Sequence, residues 1–159
     1  MTTTTDHRSE LNRAAPAVVW STFVLSLLGV GLSTYLTVLH YNTHLQPFCP
    51  NTGVINCGDV ITGAYSSAFS IPFAVLGLGY WIAMVVLNSP PLWASDLRWV
   101  HQLRLVSIVG GMGFCCYLIY IELFIKNHIC LWCTSVHLTT FVVFVLVITS
   151  VPKMLERSR

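Results

Sequence analysis

The sequence predicts an all-α fold: an integral membrane four-helix bundle with an extracytoplasmic loop between the first two helices. The first observation is composition, because 55% of the 159 residues are hydrophobic and only 9% are charged, whereas soluble domains carry about 25% charged residues. The second is a mean hydropathy of +0.71. The third is a set of four apolar runs close to the roughly 20 residues that cross a bilayer as a helix. These runs cover residues 17–39, 71–88, 103–125 and 130–151.

The chain begins with a polar segment, residues 1–16, which contains four consecutive threonines and is expected to be a flexible tail. Arg8 and Arg13 precede the first apolar run, in the layout of a signal peptide. The run nevertheless covers residues 17–39, and no Ala-x-Ala cleavage site lies at its far end. A retained transmembrane helix is therefore predicted.

The first connection, residues 40–70, contains three glycines and two prolines, and it is too polar and too interrupted to cross the membrane. Its second half, residues 60–70, is more apolar and is expected to lie on the membrane surface as a short helix or cap. The second run, residues 71–88, begins with Ile-Pro-Phe, and proline suits a helix start because its missing N–H has no partner there. The connections at 89–102 and 126–129 are predicted to be short turns.

Basic residues are distributed unequally between the two predicted sides of the membrane, seven against one. Positive residues accumulate on the cytoplasmic side of membrane proteins. Both ends of the chain, including the polar tail at 152–159, are therefore predicted to be cytoplasmic. The seven residues on that side are Arg8, Arg13, Arg98, Arg104, Lys153, Arg157 and Arg159, and the one on the outer side is Lys126.

Several classes of function are disfavoured by the same sequence. Eight basic residues are too few to form a nucleic-acid surface. A glycine-rich phosphate loop, a dinucleotide-binding fingerprint and a serine nucleophile elbow are all missing from the sequence. The chemistry must therefore be sought among the cysteines.

Four of the six cysteines lie on the predicted outer side, where disulfides persist: Cys49 and Cys57 in the loop, and Cys130 and Cys133 at the start of the fourth run. Cys130 and Cys133 are spaced i and i+3, so their sulfurs share one helix face. The free N–H groups of a first helical turn stabilise a thiolate, as dithiol–disulfide exchange requires. Two other interpretations fit: static structural disulfides, and a zinc site, although intervals of seven and two residues are unusual for four cysteine ligands.

Three motifs follow one another along the chain: Cys49-x7-Cys57, Asp59-Val60, and Cys130-Leu-Trp-Cys133 at the start of the last apolar run. Their order, spacing and membrane placement resemble those of the vitamin K epoxide reductase (VKOR) family, over about residues 17–151. The segment from residue 69 to residue 77, Phe-Ser-Ile-Pro-Phe-Ala-Val-Leu-Gly, is similar to a Phe-Gly-Ile-Pro segment of bacterial members. The other quinone-linked family of disulfide generators carries its Cys-x-x-Cys pair in the first outer segment, the reverse of the order here.

The resemblance implies a thiol–quinone oxidoreductase of a bacterial plasma membrane that supports disulfide formation. Cys49 would exchange with an extracytoplasmic thioredoxin-fold (DsbA-like) protein. Cys57 would attack Cys130, and Cys133 would pass electrons to a quinone, which could be menaquinone, ubiquinone or vitamin K. Two electrons would move in each step, because one disulfide and one quinone each accept two.

The chain departs from the family pattern at one position. Many members have a serine six residues after the second loop cysteine, where this chain has Gly63. Thr62 and Ser66 are the hydroxyl side chains that could replace that serine. The departure makes reduction of vitamin K epoxide, the alternative activity, less expected than reduction of a quinone.

Three polar residues near the predicted site each have a functional and a structural interpretation. Glu122 is a candidate for proton transfer or for tuning the quinone site, or it pairs with Lys126 four residues later. His137, one turn after Cys133, is a candidate donor to a quinone carbonyl, or it packs in the core. Asp59 assists proton transfer, or it is a solvated turn carboxylate.

Aromatic and apolar residues complete the predicted quinone pocket. Trp132 lies between the two cysteines of the last motif and is expected near the quinone. Cys115 and Cys116, in the third run, are expected to pack as small hydrophobic residues. Three further residues are expected to line the pocket, although ordinary helix packing explains them equally well: Phe69, Phe73 and Leu76.

Overall fold

The computed structural model describes most of the chain beyond the first 14 residues. The tail predicted at the N-terminus and the predicted pocket residue Phe69 lie outside the described part. Within residues 153–157 the backbone is described but the side chains are not. The described ranges are 15–42, 44–45, 47–49, 52–63, 66–68, 71–95 and 97–157.

The described residues are mostly helical, and the prediction of a mainly helical protein is confirmed. A short antiparallel hairpin, in which Ser67 pairs with Pro72, forms where the chain turns from the loop into a helix. The elements in chain order are α1 (Pro16–Tyr41), α2 (Cys57–Thr62), β1 (Ser67–Ala68), β2 (Ile71–Pro72), α3 (Phe73–Leu87), α4 (Pro90–Trp93), α5 (Arg98–Tyr120), a π-helical segment (Ile121–Lys126) and α6 (Leu131–Arg157).

Within the described part of the chain, three helical stretches are long and apolar enough to cross a membrane: Pro16–Tyr41, Arg98–Lys126 and Leu131–Pro152. Their outward faces are apolar, as contact with lipid requires; Val106 and Leu138 expose 68% and 63% of their surface. Helix α3 has 15 residues, which at 1.5 Å per residue is about 22 Å, shorter than a hydrocarbon core of about 30 Å. Its role as a fourth span therefore stays a prediction.

Helices α1, α5 and α6 extend beyond the predicted apolar runs, whereas α3 is slightly shorter than the run at 71–88. Helix α5 begins at Arg98, five residues before the predicted run, and the turn predicted at 89–102 also contains α4. Helix α6 continues past Pro152 to Arg157, into the segment predicted as a tail. Hydropathy marks the part of a helix that faces lipid, whereas the helix itself ends where its backbone hydrogen bonds end.

A buried arginine closes the end of α3 opposite the outer loop. Arg104 is fully buried, and its Nε donates to the carbonyl oxygen of Leu87 at 3.1 Å. Its guanidinium lies 3.9 Å from the centre of the Trp93 ring, a cation–π distance. Because the last carbonyls of a helix have no partner within that helix, Arg104 satisfies the C-terminus of α3 and ties it to α5.

Helix packing leaves a space on one side of the bundle. Helix α1 packs against α3 and α6, and α6 packs against α5. A Cβ atom on Gly29 would overlap the Trp81 ring, so glycine allows α1 and α3 to approach closely there. Helices α3 and α5 meet over a much smaller area, and the cavity described below lies between them.

Candidate active site

The loop cysteines are bonded to each other. Cys49 and Cys57 form a disulfide, and Cys57 is the first residue of α2. Cys57 is only 2% exposed, whereas Cys49 is partly exposed. A thiolate arriving from outside can therefore reach Cys49 more easily than Cys57.

A short backbone bridge holds the loop beside the start of α6. Ile55 pairs with Ile129 in parallel orientation. The N–H of Ile129 donates to Val54 at 2.9 Å, and the N–H of Asn56 donates to Ile129 at 3.2 Å. Because Cys57 and Cys130 follow the two bridged residues closely, the bridge brings both cysteines into one buried apolar cluster, which also contains Leu36, Leu39 and Ile61.

The second cysteine pair lies at the N-terminus of α6, where the sequence placed it. Cys130 directly precedes the first helical residue and is completely buried, and Cys133 lies in the first turn. The N–H of Cys133 donates to the sulfur of Cys130 at 3.2 Å, the position that an N-cap acceptor occupies. Both thiols are free, so the two pairs are in different redox states.

A cavity of about 470 Å³ begins at Cys133 and extends between α3 and α5. Near Cys133 its wall carries the side chains of Glu122, Lys126 and His137. Phe73 and Leu76, both predicted to line a pocket, lie in the same wall. The volume falls in the range of about 300–1,000 Å³ that is usual for small-molecule sites.

Glu122 lies in the π-helical segment between α5 and α6. It is 6% exposed, and its Oε2 accepts from the backbone N–H of Cys130 at 3.5 Å. Asn127 ends the segment in a left-handed conformation with φ of 55°. Single π-helical turns are frequent at functional sites, and this one places a carboxyl group beside both the cavity and the second cysteine pair.

Asp59 fastens α2 to the end of the π-helical segment. Its carboxylate lies 3.1 Å from Nδ1 of His128 and 3.5 Å from Nζ of Lys126. Partial burial raises the pKa of Asp59, but the hydrogen bond from His128 and the charge of Lys126 outweigh it and hold the pKa below its ordinary value. Asp59 is therefore an anion at neutral pH that holds the loop in place, while its side chain remains 40% exposed to solvent.

A family comparison identifies the chain. Over residues 20–148, it matches the model of the vitamin K epoxide reductase family. The chain belongs to this family. The match confirms the resemblance drawn from the motifs. A search of curated proteins finds no match. VKOR family members are membrane oxidoreductases linked to quinones and thioredoxin-like partners. The three long apolar helices described above support the conclusion that this member is a membrane protein.

The structure gives a physical reason for glycine at the position where many VKOR members have serine. A Cβ atom on Gly63 would overlap Nζ of Lys126 and the carbonyl oxygen of Asp59. Glycine therefore lets the Lys126 ammonium reach Asp59. Nζ of Lys126 donates to the backbone carbonyl oxygen of Asp59 at 3.3 Å. Of the two candidate replacements, Ser66 lines the cavity, whereas Thr62 is exposed and donates to the carbonyl oxygen of Gly58.

Trp132 contacts the loop rather than the cavity. Its ring lies 4.6 Å from that of Tyr35, and its Nε1 donates to the carbonyl oxygen of Phe48 at 3.1 Å. Residues adjacent in a helix point in different directions, so Trp132 faces away from the cavity that Cys133 lines. The predicted quinone contacts of Trp132 and Thr62 are not reproduced among the described side chains, and Trp132 instead holds the residue before Cys49.

Sequence reasoning missed Lys126 as a cavity residue. It was considered only as a partner of Glu122, although residues four apart share one helix face, and both side chains line the cavity. Its 3.5 Å ion pair with Asp59 joins segments far apart in the chain, which no local pattern could indicate. Within the described ranges, no three side chains of His, Cys, Asp or Glu are grouped to hold a metal ion.

Proposed function

We propose that this VKOR family member is a thiol–quinone oxidoreductase that passes two electrons from a partner dithiol, through two cysteine pairs, to a membrane quinone. One observation carries the proposal. Cys130 is a buried member of the cluster that contains Cys57 and does not line the cavity, whereas Cys133 packs at the edge of that cluster and lines the cavity. The second pair therefore has one sulfur towards a thiol donor and the other towards a space that suits a small molecule.

The first step transfers electrons from the partner to the loop pair. A partner thiolate attacks the more accessible Cys49, which forms a mixed disulfide and releases Cys57. The partner's second thiol then attacks the partner sulfur in that mixed disulfide and releases Cys49. The partner leaves as a disulfide, and Cys49 and Cys57 become thiols. The family supplies the partner class, a thioredoxin-fold (DsbA-like) protein outside the membrane, and a partly exposed Cys49 suits such a partner.

The second step moves the electrons to the start of α6. The Cys57 thiolate attacks Cys130 of an oxidised Cys130–Cys133 pair, and Cys133 leaves as a thiolate. Cys49 then attacks Cys57, which re-forms the loop disulfide and releases Cys130. The products have the pairing that the structure contains, with Cys49 bonded to Cys57 and the other two thiols free.

The last step oxidises Cys130 and Cys133 to a disulfide while a quinone in the cavity takes up two electrons and two protons. The two thiols carry the same number of electrons and protons, so the step balances. Glu122 and Lys126 lie in the wall beside Cys133 and are placed to move protons. Asp59 does not line the cavity, so its part in proton movement is limited to its contacts with Lys126 and His128.

His137 is placed to bind a quinone carbonyl. Its ring lines the cavity one turn inward from Cys133 and, among the described residues, has no hydrogen-bond partner. An imidazole N–H in an apolar wall is stabilised by an acceptor. A quinone carbonyl oxygen would supply that acceptor, with the quinone ring lying against Cys133.

The proposal is tested with the purified protein in detergent. A reduced thioredoxin-fold protein serves as donor, and menaquinone, ubiquinone and vitamin K are offered in turn as acceptors. We expect loss of quinone absorbance to match the oxidation of donor dithiol one for one. A protein that reduces none of these quinones, while its outer cysteines bind stoichiometric zinc, would contradict the proposal.

Replacement of His137 by phenylalanine (His137→Phe) is expected to raise the KM for quinone by up to about tenfold, because one hydrogen bond contributes about 0.5–1.5 kcal/mol. The aromatic ring keeps the volume of the site. Leu138→Ala is the control, since Leu138 is 63% exposed on the outward face of the same helix. Equal KM values in parent and His137→Phe would show that His137 does not bind the quinone.

A further inference from the structure

The two loop cysteines are held in place to different extents. Cys57 is the first residue of α2 and lies next to the Ile55–Ile129 bridge. The same helix is fastened to the π-helical segment by the ion pair of Asp59. Cys49 lies outside any helix or strand. When the disulfide between them opens, Cys57 therefore stays in place, whereas Cys49 depends on other contacts of its own segment.

Aromatic side chains from α1 and α6 hold the residue before Cys49. Nε1 of Trp132 donates to the carbonyl oxygen of Phe48 at 3.1 Å, and the N–H of Phe48 donates to the hydroxyl oxygen of Tyr35 at 3.4 Å. The rings of Tyr35 and Trp132 contact each other, with centres 4.6 Å apart. Within the described ranges, these two are the hydrogen bonds of residues 47–49. This aromatic clamp, Tyr35 with Trp132, does not depend on the disulfide.

The proposed transfer passes through a state in which Cys49 is a free thiol. Cys57 is then bonded to Cys130, and the loop disulfide returns only when the Cys49 thiolate attacks Cys57. One S–S bond breaks, one forms, and Cys130 leaves as a thiolate, so the step needs no further oxidant. The chain between Cys49 and Cys57 spans eight residues and could extend over about 26 Å. The rate of return therefore depends on how closely Cys49 is held.

We infer that the aromatic clamp keeps Cys49 within reach of Cys57 while Cys57 is bonded to Cys130, and that Trp132 is a positioning residue for the return of the loop disulfide. The inference rests on the proposed function, because it assumes the transient Cys57–Cys130 bond. Neighbouring residues of one helical turn divide the work: Cys133 lines the cavity, and Trp132 holds the loop. The clamp and the loop disulfide restrain the same segment, so each favours the other.

A protein with three outer cysteines measures this effect directly. In Cys133→Ala, Cys49 and Cys130 compete for a disulfide with Cys57, and neither a partner protein nor a quinone is needed. The protein is equilibrated in a glutathione redox buffer, quenched with acid and alkylated. Non-reducing peptide mapping by mass spectrometry then gives the ratio of the Cys57–Cys130 bond to the Cys49–Cys57 bond.

Addition of Trp132→Phe to this background is expected to raise that ratio by about two- to tenfold, the equivalent of one lost hydrogen bond. Phenylalanine keeps an aromatic ring against Tyr35 but has no N–H to donate. Tyr35→Phe should shift the ratio in the same direction but by less, because its hydrogen bond of 3.4 Å is longer.

Trp20→Phe is the matched control in the same background. Trp20 is 58% exposed on α1, and its ring contacts Phe23 rather than the loop. The same substitution at this position should leave the ratio of the two disulfides within about 1.5-fold of that in Cys133→Ala alone. In the full chain, Trp132→Phe should keep the KM for quinone within about twofold of the parent, because Trp132 does not line the cavity.

Three results would overturn the inference while leaving the proposed function intact. One is an unchanged disulfide ratio in Trp132→Phe, and another is an equal shift in Trp20→Phe. The third is a rise in the KM for quinone as large as that expected for His137→Phe, which would place Trp132 in the quinone site. A parent that reduces no quinone overturns the proposed function, and with it the role of the clamp, so the two failures are distinguishable.

Discussion

Replacement of Cys133 by alanine (Cys133→Ala) is expected to lower quinone reduction by at least about a thousandfold, as removal of a reacting nucleophile typically does. Cys133 is the sulfur of the second pair that lines the cavity, and without it no disulfide can form at the start of α6. The Cys49–Cys57 disulfide should still form and should still be reduced by the partner protein. Steady-state quinone reduction and thiol titration of the same sample measure the two effects separately.

Cys116→Ala is the matched control for this substitution. Cys116 is also a free thiol, but it is exposed on α5 and does not line the cavity. Its removal should leave turnover within about twofold of the parent, as for a surface substitution away from the site. If Cys133→Ala kept more than a tenth of the parent rate, the sulfur that faces the cavity would not be the electron donor.

The second large effect concerns transfer between the two cysteine pairs. In the double variant Cys49→Ala/Cys133→Ala, Cys57 and Cys130 remain and have lost their usual partners. Because both belong to one buried cluster held by the Ile55–Ile129 bridge, a mild soluble oxidant should join them in most molecules. Peptide mapping by mass spectrometry under non-reducing conditions detects the bond.

The variant Cys49→Ala/Cys130→Ala is the control, because it leaves Cys57 with Cys133. Cys133 lies in the first turn of α6 and lines the cavity, so it should be joined to Cys57 at least about tenfold less. Equal yields in the two double variants would contradict the proposed order of the cysteines. A higher yield of the bond with Cys133 would reverse that order. Either result is informative because both proteins retain the same number of thiols.

Hydropathy predicted the positions of the long helices well, because a helix that faces lipid must be apolar over most of its length. The same signal was less informative at the helix ends. Arg98 and Pro152 lie inside helices although the apolar runs exclude both. It also could not show that α3 has only 15 residues, since apolar residues continue into the loop before it.

The motifs carried a different kind of information. A Cys-x-x-Cys pair at the start of an apolar run and a second pair in the preceding outer loop were enough to indicate the family, which the family comparison confirms. That inference depends on residue type and short spacing, which the chain displays directly. The resemblance implied that Cys57 faces Cys130, but residue type and spacing alone could not show which cysteine of each pair faces the other pair.

Residue type and spacing therefore established a helical membrane protein of the VKOR family with two cysteine pairs. The neighbourhood of those pairs depends on contacts between segments far apart in the chain. The Ile55–Ile129 bridge sets Cys57 beside Cys130, and the ion pair of Lys126 with Asp59 holds the loop over the cavity. Such contacts form only when whole helices have packed, because their geometry is set by the shape of the packed bundle, which local sequence does not encode.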